Sequence, residues 1–95
     1  VKVRYVDGDV LDGYAALHAL TAAGRKLGIP HGEIWIAQDL KSISPVLKFH
    51  EEVEYQMRKQ GMQAAASHVR AMRLEREKFE GTAVYEKAKR LLKDR

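Results

Sequence analysis

The 95-residue sequence contains no cysteine. Disulfides, zinc fingers, thiolate metal sites and cysteine nucleophiles are therefore excluded. No apolar run approaches the roughly 20 residues that span a bilayer, and the opening Val1–Val6 is too short and too charged to act as a signal peptide. A cytoplasmic location is the default expectation. Aromatic residues make up 7% of the chain, with a single tryptophan. None clusters beside the basic C-terminal residues, as single-strand nucleic-acid binding would want. There is no phosphate-binding glycine loop, no Ser–His–Asp order, no nucleophile elbow, and no repeat or low-complexity linker.

What remains is the composition of one globular domain, residues 1–95, with 45% hydrophobic and 32% charged residues. That length buries one modest core. The net charge of +4 is unevenly placed: up to Val69 eight bases and eight acids cancel, and from Arg70 to Arg95 nine bases face five acids. This end reads first as a solvated helix face, because acids are interleaved among the bases. Contact with a nucleic acid or an acidic partner is the secondary reading.

The patterning predicts strand, helix, strand and then three helices, an α+β domain with a small two-stranded sheet on a helical bundle. Val1–Val6 alternates apolar and charged residues as a half-exposed strand does. The turn Asp7-Gly8-Asp9 supplies caps for a helix expected over Val10–Leu27, which the run from Gly28 to Gly32 stops. On that helix His18 falls away from the apolar face and is expected at the surface. Glu33–Ala37 reads as a β-branched, aromatic strand with Trp35 in the core, and His31 as a solvated turn residue. Ser44 is the expected cap and Pro45 the first residue of a helix over Pro45–Gln60. Gly61 separates it from one over Met62–Glu80, and Thr82 caps a last helix with an apolar edge of Val84, Ala88, Leu91 and Leu92. Asp7–Gly13 resembles a calcium loop only superficially, since Leu11 and His18 stand at ligand positions.

The two long central helices carry the chemistry. At about 100° per residue, the first groups Leu47, Glu54, Gly61, His50, Met57, Val46, Val53 and Phe49 on one arc. The second groups Ala71, Ala64, Glu75, His68, Phe79, Met72 and Ala65. Each apolar arc thus holds one histidine and one glutamate, and amphipathic helices bury that arc. Helices joined by a tight turn pack antiparallel, so His50, Glu54, His68 and Glu75 should converge. A buried carboxylate without a partner costs several kcal/mol or is driven neutral. Two accounts are open: a divalent metal such as zinc, manganese, iron or nickel held by imidazole and carboxylate, or a metal-free His–Glu network that fixes helix register.

His50-Glu51-Glu52-Val53-Glu54 forms an H-E-x-x-E string on a helix that follows a short strand. It resembles the core of the zincin metallopeptidases, whose helix bears H-E-x-x-H. The resemblance implies a metal-dependent peptide or amide hydrolase with Glu51 as general base. His50, Glu54 and His68 would be metal ligands, and Glu75 a fourth ligand or the orienter of one. Glu54 stands where the family's second histidine belongs. Residues 34–92 are also similar to small prokaryotic and phage proteins that carry H-E-x-x-E, then Gly-Met (here Gly61-Met62), then a histidine and a glutamate seven residues later (His68 and Glu75). That similarity implies no activity. It leaves open a non-enzymatic interaction or assembly module with a protein or nucleic-acid partner at the basic end. A homo-oligomer is compatible with both readings, since small domains with spare apolar helix edges complete their cores by association.

Overall fold

The computed structural model describes residues 1–93. Its α+β fold is a three-stranded sheet followed by a helical layer. The strands are β1 (Lys2–Val6), β2 (Ala16–His18) and β3 (Glu33–Ala37), and the helices α1 (Ala22–Leu27), α2 (Ser44–Lys59), α3 (Ala64–Phe79) and α4 (Ala83–Leu92). Strand β3 is central: β1 pairs with it in parallel from Lys2↔Glu33 to Val6↔Ala37, and β2 antiparallel from Ala16↔Ile36 to His18↔Ile34. Ile34, Ile36 and Ala37 of β3 meet Leu11, Ile43 and Val46 in the core.

The helix predicted over Val10–Leu27 is replaced by a turn, strand β2 and the short α1. Successive turn bonds (Leu11 N–H to the Gly8 carbonyl, Tyr14 N–H to that of Leu11) shape the loop before β2. Asp12 and Gly13 adopt left-handed φ of 53° and 86°, which a continuous helix cannot accommodate. The run Ala15–Leu20 offers no polar face, and β2, packed against β3 and α2, is buried on both sides, as a covered strand can be and a surface helix cannot. The sheet therefore gains a third strand. Helix α1 begins only at Ala22, where the Thr21 hydroxyl accepts the Gly24 N–H at 2.8 Å. Glycine is needed at position 24, since a Cβ there would lie 1.9 Å from the His18 carbonyl oxygen.

The other helices follow the prediction to within a few residues. Ser44 is not a side-chain cap. A 3-10 segment, Gln38–Ile43, runs straight into α2, and the Ser44 N–H bonds to the Lys41 carbonyl, so the expected cap has no role. Pro45 does sit in the first turn. Gly61, at φ 99°, turns the chain between α2 and α3, and the Met62 N–H returns to the Met57 carbonyl. Thr82 caps α4 by accepting the Tyr85 N–H at 3.2 Å. Of its expected apolar edge Ala88 is buried, Val84 and Leu92 half-buried and Leu91 exposed.

Candidate metal centre

Helix α2 delivers three buried polar side chains on the flank facing β2: His50, Glu51 and Glu54, all with less than a tenth of their surface exposed. The wheel places His50 and Glu54 inward and Glu51 outward. Glu51 is covered because β2 packs where sequence reasoning put a helix. Helix α3 is less enclosed than its arc predicts. Ser67 and Ala71 are buried, whereas Ala64, Ala65 and Met72 are exposed and Glu75 and Phe79 half-buried. His68 lies on the rim with 57% of its side chain exposed.

The four residues proposed from spacing do come together. His50 Nε2 lies 3.3 Å from Glu54 Oε2, and His68 Nδ1 lies 3.0 Å from the same oxygen. Ligand atoms of His50, Glu54 and His68 all fall within 4.8 Å of one another. Glu75 approaches from the other side of the ring, its Oε1 3.0 Å from His50 Nδ1. Sequence reasoning missed a fifth member. His18, expected at the surface, is fully buried with Nε2 2.8 Å from Glu54 Oε1. A signal for it existed: it is the one polar residue within Ala15–Leu20, and Asp12-Gly13 just before is a turn pair. His31 does not join the cluster, its Nδ1 being 2.8 Å from the Tyr55 hydroxyl on the exposed side. Trp35 is half-buried against the core, its indole N–H donating to Glu33 at 2.9 Å.

Buried charges must be balanced, and the ionisation of this cluster reflects that. Burial would raise the Glu54 carboxyl, but hydrogen bonds from His18, His50 and His68 outweigh it and hold Glu54 well below the usual carboxylate range. Burial would lower His50, but its bonds to Glu54 and Glu75 and the nearby Glu51 take it up to about 10. Glu51 moves the other way: burial, opposed by His50 and reinforced by Glu54 and Glu75, pushes it up to about 8. Its Oε2 stands 4.0 Å from His50 Nε2, beyond hydrogen-bond length. At neutral pH the cluster thus holds an ionised Glu54, a charged His50 and a neutral Glu51.

These residues fit a divalent cation. Ligands at 2.0–2.1 Å around a tetrahedral zinc lie about 3.3 Å apart; the two separations at Glu54 Oε2 are 3.0 and 3.3 Å, and the His50–His68 pair lies within 4.8 Å. Two imidazoles and one carboxylate also form the donor set of open, catalytic zinc sites. The site is reachable: two cavities of about 260 and 240 Å³ meet at it, both lined by Ala16, His50, Glu51 and His68. A larger hollow of about 430 Å³ at Asp7, Asp9 and Asp39 lies apart from these groups and contains no histidine. Comparison of the chain with protein-family models, curated proteins and solved structures found no match. The geometry shows two His/Glu groups, buried except for His68, that could hold a metal.

Proposed function

We propose that the protein binds one divalent metal, zinc foremost, through His50 Nε2, Glu54 Oε2 and His68 Nδ1, and that it is a zincin-like hydrolase of peptide or amide bonds. The observation that carries this reading is the pre-orientation of the ligands. Glu75 occupies the far nitrogen of His50 and leaves Nε2 turned toward Glu54. A carboxylate on the outer nitrogen of a metal-binding histidine fixes its tautomer and raises its basicity. Glu75 thus acts as an orienter, and His68 completes the set from the next helix.

A bound divalent ion would supply a Lewis acid and a water of lowered pKa. The chain's own contribution is Glu51, a buried carboxyl beside the ligands. Burial holds its proton in the metal-free chain, and a bound cation would favour the carboxylate, the form a general base needs. Support for a peptide substrate comes from the edge strand β2. The Ala37 N–H bonds to the Ala15 carbonyl, so in the antiparallel register the Ala16 backbone points away from β3. Ala16 lines both cavities, and an extended chain laid there could pair with its backbone.

Zinc-loaded protein assayed on a fluorogenic peptide library tests the reading. Turnover by the wild type is expected, with Glu51→Gln retaining one zinc but losing activity by at least a hundredfold. Undiminished turnover in Glu51→Gln would assign the metal a structural role.

A second reading has its own support. Among the described residues no fully enclosed side-chain nitrogen or oxygen lacks a partner, and His18, His50, Glu54 and Glu75 are bonded to one another without an ion. Helix α3 also exposes Val69 and Met72, at 67% and 51%, beside Arg70 and Arg73. A non-enzymatic module would use that face, or the basic residues from Arg70 onward, on a second copy or another partner. Asp94 and Arg95 of that stretch lie outside the described residues. Nucleic-acid binding with no steep loss between 50 and 200 mM salt would remove the basic end from this reading.

A further inference from the structure

His18 touches the centre without belonging to either central helix, and its ring nitrogens are not equivalent. Nδ1 lies 3.1 Å from the backbone nitrogen of Leu20 and must accept its N–H. A neutral imidazole has one donor and one acceptor nitrogen, so the ring proton sits on Nε2. Nε2–H then donates to Glu54 Oε1 at 2.8 Å.

This assignment bears on a second group able to hold a cation, since His18, Glu51 and Glu54 also place ligand atoms within 4.8 Å of one another. To ligate through Nε2, His18 would have to give up the Leu20 bond or become an imidazolate. The ring is also held in place. The Thr21 hydroxyl donates to the His18 carbonyl at 3.0 Å, Gly24 packs against that carbonyl, and the Tyr55 ring meets the imidazole edge-on at 5.7 Å.

We infer that His18 is a positioning residue and not a ligand: its Nε2–H fixes Glu54 Oε1 so that Oε2 faces His50 and His68. The inference rests on the metal reading above and assigns to β2 the task of aiming the carboxylate. His18 is to Glu54 what Glu75 is to His50, so each buried ligand has its far atom engaged by a different element.

The test is zinc titration of the metal-free full chain as wild type, His18→Leu and His18→Gln, with histidine 15N spectra of the wild type before and after zinc. Glutamine can present an amide N–H near the place of Nε2 and leucine cannot. We expect His18→Leu to bind zinc about 10–100-fold more weakly and His18→Gln to recover most of that loss. In the wild type His18 should keep its Nε2–H in the zinc-bound state, while His50 Nε2 and His68 Nδ1 take zinc-induced shifts. That spectrum decides the matter even if His18→Leu does not fold. Loss of the His18 Nε2 proton on zinc binding would overturn the inference, as would unchanged affinity in both variants, and in either case the metal site would stand. A wild type that binds no zinc would overturn the metal reading and this inference together.

Discussion

Replacing Glu51 by glutamine should stabilise the metal-free protein, and the gain should depend on pH. Glu51 has a folded pKa of about 8 against an ordinary value of 4.5. Folding therefore requires the side chain to stay protonated at pH values where the unfolded chain has lost the proton. Stability from this group falls as pH rises, because the native state binds more protons than the unfolded one. The penalty is absent below pH 4.5 and grows between pH 4.5 and 8. At pH 7 it spans roughly 2.5 pH units, about 3 kcal/mol at 1.36 kcal/mol per unit, and it levels off near 5 kcal/mol above pH 8. Glutamine has nearly the same shape and cannot ionise. Urea unfolding of both proteins in a chelator, at pH 5, 6, 7 and 8, should show curves that nearly coincide at pH 5 and separate by about 3 kcal/mol at pH 7 in favour of Glu51→Gln. Equal stability at all four pH values, or a variant weaker at pH 7, would refute the account of Glu51 as a neutral buried acid. A natural residue that costs stability at neutral pH is what a functional role leads one to expect.

Three further outcomes follow from the same geometry. Zinc affinity measured by titration calorimetry should rise about tenfold per pH unit between pH 6 and 9, because His50, raised to about 10, must release its proton to present Nε2; a flat profile would contradict the charged His50. Glu54→Gln should destabilise the metal-free protein by about 3–5 kcal/mol at pH 7 in chemical denaturation, since it removes the acceptor shared by three histidines and leaves His50 buried with less compensation; a change under 1 kcal/mol would show that the network carries little energy. Gly24→Ala should unfold the protein or shift β2, because its Cβ would meet the His18 carbonyl, and a wild-type thermal midpoint would show that the α1–β2 contact is looser than described.

Sequence patterning located β1, β3 and the three later helices because each is set by local signals. Alternation marks the strands, Pro45 sits in the first turn of α2, Gly61 turns the hairpin and Thr82 caps α4. The same periodicity made His50 and Glu54 inward-facing on α2, and the hairpin brought His68 and Glu75 to them. Strand β2 was not legible in this way. Ala15–Leu20 suits a buried helix as well as a buried strand, and pairing with β3, some twenty residues on, decides between them. That one error accounts for both misplaced site residues. With a helix in place of β2, His18 turns outward and nothing covers the flank of α2 that carries Glu51. Glu51 was singled out by its place in H-E-x-x-E, and its burial appears only once β2 is in position. The alanine-rich arc of α3 predicted more enclosure than α3 has, because the helix packs mainly on α2 and leaves its other side to solvent.

The most direct measurement is the metal content of untagged protein, alone and after equilibration with zinc, for the wild type, His50→Ala and His68→Ala. One equivalent per chain in the wild type, accompanied by a rise in thermal midpoint, and its loss in both variants is the result the account predicts. A wild type that neither retains a stoichiometric divalent ion nor is stabilised by one would contradict it and leave the His–Glu cluster as a metal-free network.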